Sequence, residues 1–195
     1  MLYLVAIGAS AGGLNAVSKV LGGLAPGFSG ALAIVQHRRA DSTSLLRDLL
    51  EQRSPFPVIE PSHGTTIQPA HVYLAPPDYH LLVEPGFFSL SIDPPVSCSR
   101  PSIDVLFESA AASYRRRAIG VVLTGASSDG AAGAARLDAL GATVIVQDPA
   151  TAEAATCPAA ALASVPRAVV LPLAEISHHL NRVCAGPARV STPAS

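Results

Sequence analysis

The chain has 195 residues, of which 49% are hydrophobic and 14% charged, with a formal net charge of −1. That length and composition suit one globular domain with a substantial core. They exclude the basic footprint of a nucleic-acid binder and the polybasic patch of a protein held to anionic lipid.

Residues 2–7 (LYLVAI) form a near-continuous apolar run, the pattern of a strand covered on both faces of a parallel sheet. Gly8-Ala9-Ser10-Ala11-Gly12 follows and fits G-x-S-x-G, the strand-to-helix turn that lifts a serine hydroxyl clear of a sheet edge. Residues 14–21 have helical spacing, so Ser10 is placed near a helix N-terminus, whose free N–H groups favour developing negative charge. After a Pro26-Gly27 loop, ALAIVQ (Ala31–Gln36) reads as a second buried strand, followed at once by His37, Arg38 and Arg39. Asp41 and Ser42 suit the cap of a helix with Leu45, Leu46, Leu49 and Leu50 as its apolar stripe, broken at Ser54-Pro55-Phe56-Pro57.

Short strand-like pieces then run between prolines: 58–60, 72–75, 80–84 and 87–92. The last two suggest a hairpin around Pro85-Gly86, and the region reads as an antiparallel insertion or edge. A helix is predicted from Ser102, its N-cap, to the Arg115-Arg116-Arg117 run, which is a solvated helix end rather than a binding patch. Residues 118–123, 142–147 and 168–171 read as strands, and 131–140, 153–163 and 173–184 as helices. This alternation predicts an α/β fold: a doubly wound, mainly parallel sheet with helices on both faces. One domain is expected over residues 1–185, with a flexible tail at 186–195.

No apolar run approaches the ~18 residues of a membrane span. The N-terminus lacks the basic region of a signal peptide, so the cytoplasm is the expected compartment. Cys98, Cys157 and Cys184 are odd in number and have no C-x-x-C spacing, so reduced thiols are expected. Nothing resembles a metal-ligand motif, and no cofactor is expected.

In an open α/β sheet, ligands gather at the carboxyl ends of the strands. The polar groups there are Ser10, His37, the Thr124–Gly130 loop with Asp129, and Asp148. A serine, a histidine and a carboxylate make a hydrolytic triad: the imidazole takes the serine proton and the acid holds the imidazole in the right tautomer. Each has a plainer alternative. Ser10 could simply cap a helix. His37 competes with His63, His71, His80, His178 and His179, yet it alone directly ends a parallel strand. Spacing favours Asp129 over Asp148, whose following Pro149 suits a turn.

The chain order Ser10, His37, Asp129 differs from the Ser, acid, His order of α/β-hydrolases. It resembles instead the catalytic domain of the CheB-type protein-glutamate methylesterases of bacterial chemotaxis. The matching motifs, in family order, are IGASAGG (7–13), IVQH (34–37), HVYLAPPDYHL (71–81), RPSIDVLF (100–107) and LTGASSDGAAG (123–133). The resemblance implies Ser10 as nucleophile, His37 as base and Asp129 as its orienter, with substrate contacts at Ala11, Gly12, Ala126 and Arg100. It also implies oxyanion donors among backbone N–H groups near His37 and Ala126. The implied substrate is a glutamate γ-methyl ester on the cytoplasmic helices of a chemoreceptor-like protein, with glutamine deamidation as a possible second activity. No nucleic acid or membrane insertion is implied, and a monomer is expected.

The chain departs from the family at several points. Ala11 stands where the family often has Thr, and Ala126-Ser127 where it usually has Met-Gly. Arg38-Arg39 replaces a usual Met-Pro and suggests a positively charged rim. The segment TCPAAAL (156–162) echoes G-M-P-x-x-A only loosely. Typical members carry an N-terminal receiver domain, whereas here Met1 leads straight into the first strand, so the likeness is to the catalytic domain alone. Two other readings remain: an adaptor of the same fold that docks helical partners without catalysis, and a dinucleotide-binding turn. The second lacks the middle glycine of G-x-G-x-x-G and ends its second strand in His37 instead of an acid.

Overall fold

Among the described residues, nine strands and six α-helices follow the predicted alternation closely. In this computed structural model, residues 2–38 and 45–185 are described. The expected cap at Asp41 and Ser42 and the expected tail lie outside them. The main sheet has seven strands: β1 (Leu4–Ala9), β2 (Ala31–Gln36), β3 (Val58–Ile59), β4 (Val72–Leu74), β7 (Ala118–Val122), β8 (Thr143–Gln147) and β9 (Val169–Leu171). Their order is β3-β4-β2-β1-β7-β8-β9 and every pairing is parallel.

The remaining strands, β5 (His80–Glu84) and β6 (Phe87–Ser91), form a separate antiparallel hairpin. The expectation of an antiparallel middle region therefore holds for this hairpin, which Thr66 joins through an antiparallel bridge to Phe87. The short strands β3 and β4 extend the parallel sheet instead. Two- and three-residue strands carry too little side-chain pattern to reveal their direction.

Helices α1 (Gly13–Gly22), α2 (Leu45–Glu51) and α6 (Leu173–Val183) cover one face. The other carries α3 (Ile103–Tyr114), α4 (Ala131–Ala139), α5 (Thr156–Ser164) and the hairpin. Strand alternation divides the core accordingly: Leu4 and Ala6 of β1 join the α3–α4 side, while Val5, Ile7 and Ala9 join the α1–α6 side. Both sides of the central strands are thus dry, which is why they read as unbroken apolar runs.

One close approach sets the position of α3. A Cβ on Gly8 would lie 2.3 Å from Ile103 Cγ2, so only glycine lets the first turn of α3 rest on β1. That brings the N-terminus of α3 to the carboxyl ends of β1, β2 and β7, three neighbouring strands at the centre of the sheet.

Candidate active site

Ser10, His37 and Asp129 come from the loops after β1, β2 and β7. Ser10 sits in the turn that enters α1, where Gly12 is the N-cap with φ of 75°. Its own N–H donates to Thr124 O at 3.0 Å, and the Thr124 hydroxyl donates to Ala11 O at 2.9 Å, so the β7 loop pins the turn on both sides of the hydroxyl. Gln36 ties Ser10 and His37 together. Its Nε2 donates to Ser10 O at 2.8 Å and His37 O at 3.2 Å.

The three side chains form a hydrogen-bonded row. Ser10 Oγ lies 3.2 Å from His37 Nδ1, and His37 Nε2 lies 2.7 Å from Asp129 Oδ2. The carboxylate fixes the proton on Nε2, which leaves the Nδ1 lone pair facing the serine. The nitrogens are exchanged relative to the chymotrypsin template, where Nε2 faces the nucleophile. The acid–base relationship is the same, because either nitrogen accepts a proton when the other carries one.

Asp129 is almost fully buried, 1% exposed, and every partner is a donor. Besides His37, it receives the Ser102 hydroxyl at 2.8 Å and the N–H groups of Ile103 and Asp104 at 2.7 and 3.0 Å. Burial pushes its carboxyl up, but the His37 hydrogen bond and the N–H groups of the α3 N-terminus outweigh that and hold it below the usual carboxylate range. Ser102 therefore does not cap α3 with its own side chain. It hands that role to Asp129 and binds the same carboxylate.

Asp148 is occupied elsewhere. Its side chain accepts the Ala150 N–H and caps the short 3-10 turn Pro149–Thr151, the turn role its neighbouring proline suggested. Among the rival histidines, His80 is buried between the Ser102 N–H and Pro94 O, a structural bridge.

Two depressions adjoin the row. One, about 360 Å³, is lined by Ser10, Gly12, Gly13, Leu14, Asn15 and Gln36. The other, about 490 Å³, lies beside His37 and includes Arg38, Cys98, Ser99 and Arg100. Gly12 and Arg100 thus face cavities, while Ala11 and Ala126 are exposed and line neither. Arg100 is spoken for: its guanidinium binds Asp78 and the carbonyls of Ile92 and Asp93. Arg38 gives no positive rim, because its side chain is only 5% exposed and pairs with Glu60 and Ala75 O. Arg39 lies outside the described residues.

The N–H of His37 donates to Ala9 O at 3.0 Å and is not available to an oxyanion. Among the described residues, the N–H groups of Ala11 and Ala126 have no protein acceptor.

Comparison with known proteins identifies the family. Residues 5–180 match the family model described as CheB methylesterase. The chain belongs to the CheB methylesterase family. A Leptospira interrogans protein, whose name provisionally gives it as a protein-glutamate methylesterase/protein-glutamine glutaminase, is 43% identical over 180 residues, covering 92% of this chain and 93% of its own length. An Anaeromyxobacter dehalogenans protein-glutamate methylesterase/protein-glutamine glutaminase is 41% identical over 182 residues, covering 92% of this chain but 53% of its own. The crystal structure of the Thermotoga maritima CheB methylesterase catalytic domain superposes with a TM-score of 0.90 at 30% identity, over 94% of this chain and 99% of that one.

Sequence reasoning missed Gln36, Ser99 and Asp104 as contributors to this site. Gln36 had a readable signal, an amide closing an otherwise apolar buried strand. Asp104, an acid in the first turn of α3, is only 7% exposed. Ser99 had none, since its place depends on how a loop folds back.

Proposed function

We propose that this chain is a serine esterase that hydrolyses glutamate γ-methyl esters on the cytoplasmic helices of a chemoreceptor-like protein. The observation that carries the reading is the Ser10–His37–Asp129 row, with its 3.2 and 2.7 Å spacings. His37 Nδ1 takes the Ser10 proton as Oγ attacks the ester carbonyl, and Asp129 stabilises the imidazolium that forms. The N–H groups of Ala11 and Ala126 supply the donors for the oxyanion; losing one such donor costs about 3–4 kcal/mol of transition-state stabilisation. His37 returns the proton to methanol, and water then releases the glutamyl carboxylate by the reverse sequence. A primary amide fits the same scheme with ammonia as leaving group, so glutamine deamidation belongs to the proposal.

The test is methanol release from a methylated receptor fragment. The protein as it stands releases methanol, and Ser10→Ala reduces release at least about a thousandfold with an unchanged circular dichroism spectrum. Equal release from the folded Ser10→Ala variant overturns the assignment. Absence of release by the unaltered protein, together with binding of the fragment, favours the adaptor reading.

A further inference from the structure

A second hydroxyl faces the base. Ser99 Oγ lies 3.5 Å from His37 Nδ1, the same nitrogen that faces Ser10. Ser99 is carried there by a tight turn in which Val96 and Ser99 exchange both backbone hydrogen bonds, at 3.1 and 2.9 Å. The two residues between them, Ser97 and Cys98, have φ of 48° and 61° without being glycine. Such turns favour Asn-Gly, and left-handed conformations of other residues cost roughly 1 kcal/mol or more each. The segment is also tethered, because Arg100 clamps the carbonyls of Ile92 and Asp93 and the carboxylate of Asp78. A strained, anchored turn that delivers one hydroxyl to the catalytic imidazole points to a role for that hydroxyl.

The resting site does not need it. Nδ1 has a single lone pair, and Ser10, at 3.2 Å, is the nearer donor. The situation changes once Ser10 Oγ is esterified. It then carries no proton, methanol has left, and the Nδ1 lone pair needs a water. Two polar atoms 3.5 Å apart can both lie within hydrogen-bond distance of one water. The adjoining cavity of about 490 Å³ gives that water access.

We propose that Ser99 is a catalytic residue of the second half-reaction: its hydroxyl and His37 Nδ1 together hold the water that hydrolyses the acyl-enzyme. The water oxygen forms the new C–O bond as one of its protons passes to Nδ1, while its other O–H stays on Ser99 Oγ. The imidazolium then returns its proton to Ser10 Oγ as the acyl C–Oγ bond breaks, leaving the free acid and the starting serine. Water is the only co-reactant. This inference rests on the proposed Ser10 nucleophile and assigns to Ser99 only the hydrolytic step.

The test uses 4-nitrophenyl acetate, whose two half-reactions are read separately. Nitrophenol release in stopped flow reports acylation, and intact-mass decay of the acetyl adduct reports deacylation. Ser99→Ala is expected to leave acylation within about twofold and slow adduct decay about tenfold, the loss of one hydrogen bond to the attacking water. Ser99→Thr, which keeps the hydroxyl, is expected to restore decay. Hydroxylamine, a nucleophile stronger than water, is expected to clear the adduct of both variants at similar rates. Adduct decay at the original rate in Ser99→Ala overturns the proposal, as does an equal slowing of both steps or a failure of Ser99→Thr to restore decay. An adduct that still forms in Ser10→Ala overturns the nucleophile assignment itself, a distinct outcome.

Discussion

Asp104 and Asp129 cap each other's helices. Asp129, one residue before the Gly130 that leads into α4, accepts the Ile103 and Asp104 N–H groups at the start of α3. Asp104, in the first turn of α3, accepts the Gly130 and Gly133 N–H groups at 2.9 and 2.7 Å. Each carboxylate satisfies donors that a helix start leaves unpaired. The exchange locks two helices from different parts of the chain around the residue that orients His37. The acid of the row is therefore held by the fold independently of the histidine it serves.

Asp129→Asn tests this directly. All four partners of the carboxylate are donors, whereas an amide offers one acceptor and one NH₂ group. The NH₂ must face a buried N–H or hydroxyl, and His37 loses its charged orienter. Methyl-ester hydrolysis is expected to fall about 10³–10⁴-fold in kcat, with about 2–3 kcal/mol lost from unfolding stability in urea. Full stability with full activity would contradict the capping and the orienting roles together.

The two carboxylates respond to pH in opposite directions. Asp129 is held below its ordinary range, so its contribution to stability is complete above the unfolded carboxylate pKa of about 4 and is lost as pH falls below it. Burial first, and then the neighbouring Asp129 charge, push Asp104 up, so ionising Asp104 costs stability as pH rises above about 4. Asp104→Asn keeps an acceptor for Gly130 and Gly133 and removes that repulsion. It is expected to be neutral or stabilising at pH 7, with the gain shrinking toward pH 3. Asp104→Ala leaves two helix N–H groups unpaired and is expected to cost about 1–3 kcal/mol at both pH values. Urea melts of both variants across this range decide it; a gain for Asp104→Asn that grows toward pH 3 would reverse the sign.

The legible parts of the chain were those with a strong local pattern. Residues 31–36 were read as a strand because a doubly covered strand carries an unbroken apolar run, here 31–35. Ser10 and His37 were readable because each directly follows such a strand. The role of Asp129 was harder to read: spacing left Asp148 open until the family motifs were considered, and its four donors come from residues 92 positions and 25–27 positions away. Arg38 was misjudged because its charge suggested the surface, while Glu60 and Ala75 O drew it inward. Partners of that kind are set by tertiary packing and leave no periodic trace.

Gln36 supplies a prediction that local pattern alone could not. Its single NH₂ group bridges the carbonyls of Ser10 and His37, so it sets the spacing between these two residues. Gln36→Glu places a carboxylate oxygen against both of those carbonyls and is expected to destabilise the protein by about 2–3 kcal/mol. Gln36→Leu leaves the carbonyls unpaired but introduces no charge, and is expected to cost less. Because a misplacement near 1 Å costs up to about a hundredfold, kcat is expected to drop between tenfold and a hundredfold in either variant. Thermal unfolding and initial rates on the same samples separate the two effects; a rate unchanged in Gln36→Leu would remove the spacing role.

The three thiols should differ sharply in reactivity. Cys157 and Cys184 are buried, and burial pushes both thiols up, that of Cys184 to about 11. At pH 8 the Cys184 thiolate is then about one part in a thousand, and access is closed as well. Cys98 is exposed and lines the cavity beside His37. An aromatic disulfide reagent is therefore expected to titrate one thiol in the native protein and three after denaturation. The Cys98 adduct occupies the space next to Ser99 and His37, so ester hydrolysis is expected to fall in step with labelling and to recover on reduction. Cys98→Ser, which places no adduct there, is expected to remain active and resist the reagent. Rapid titration of a second thiol in the native protein, or full activity of the labelled protein, would contradict this placement of the turn.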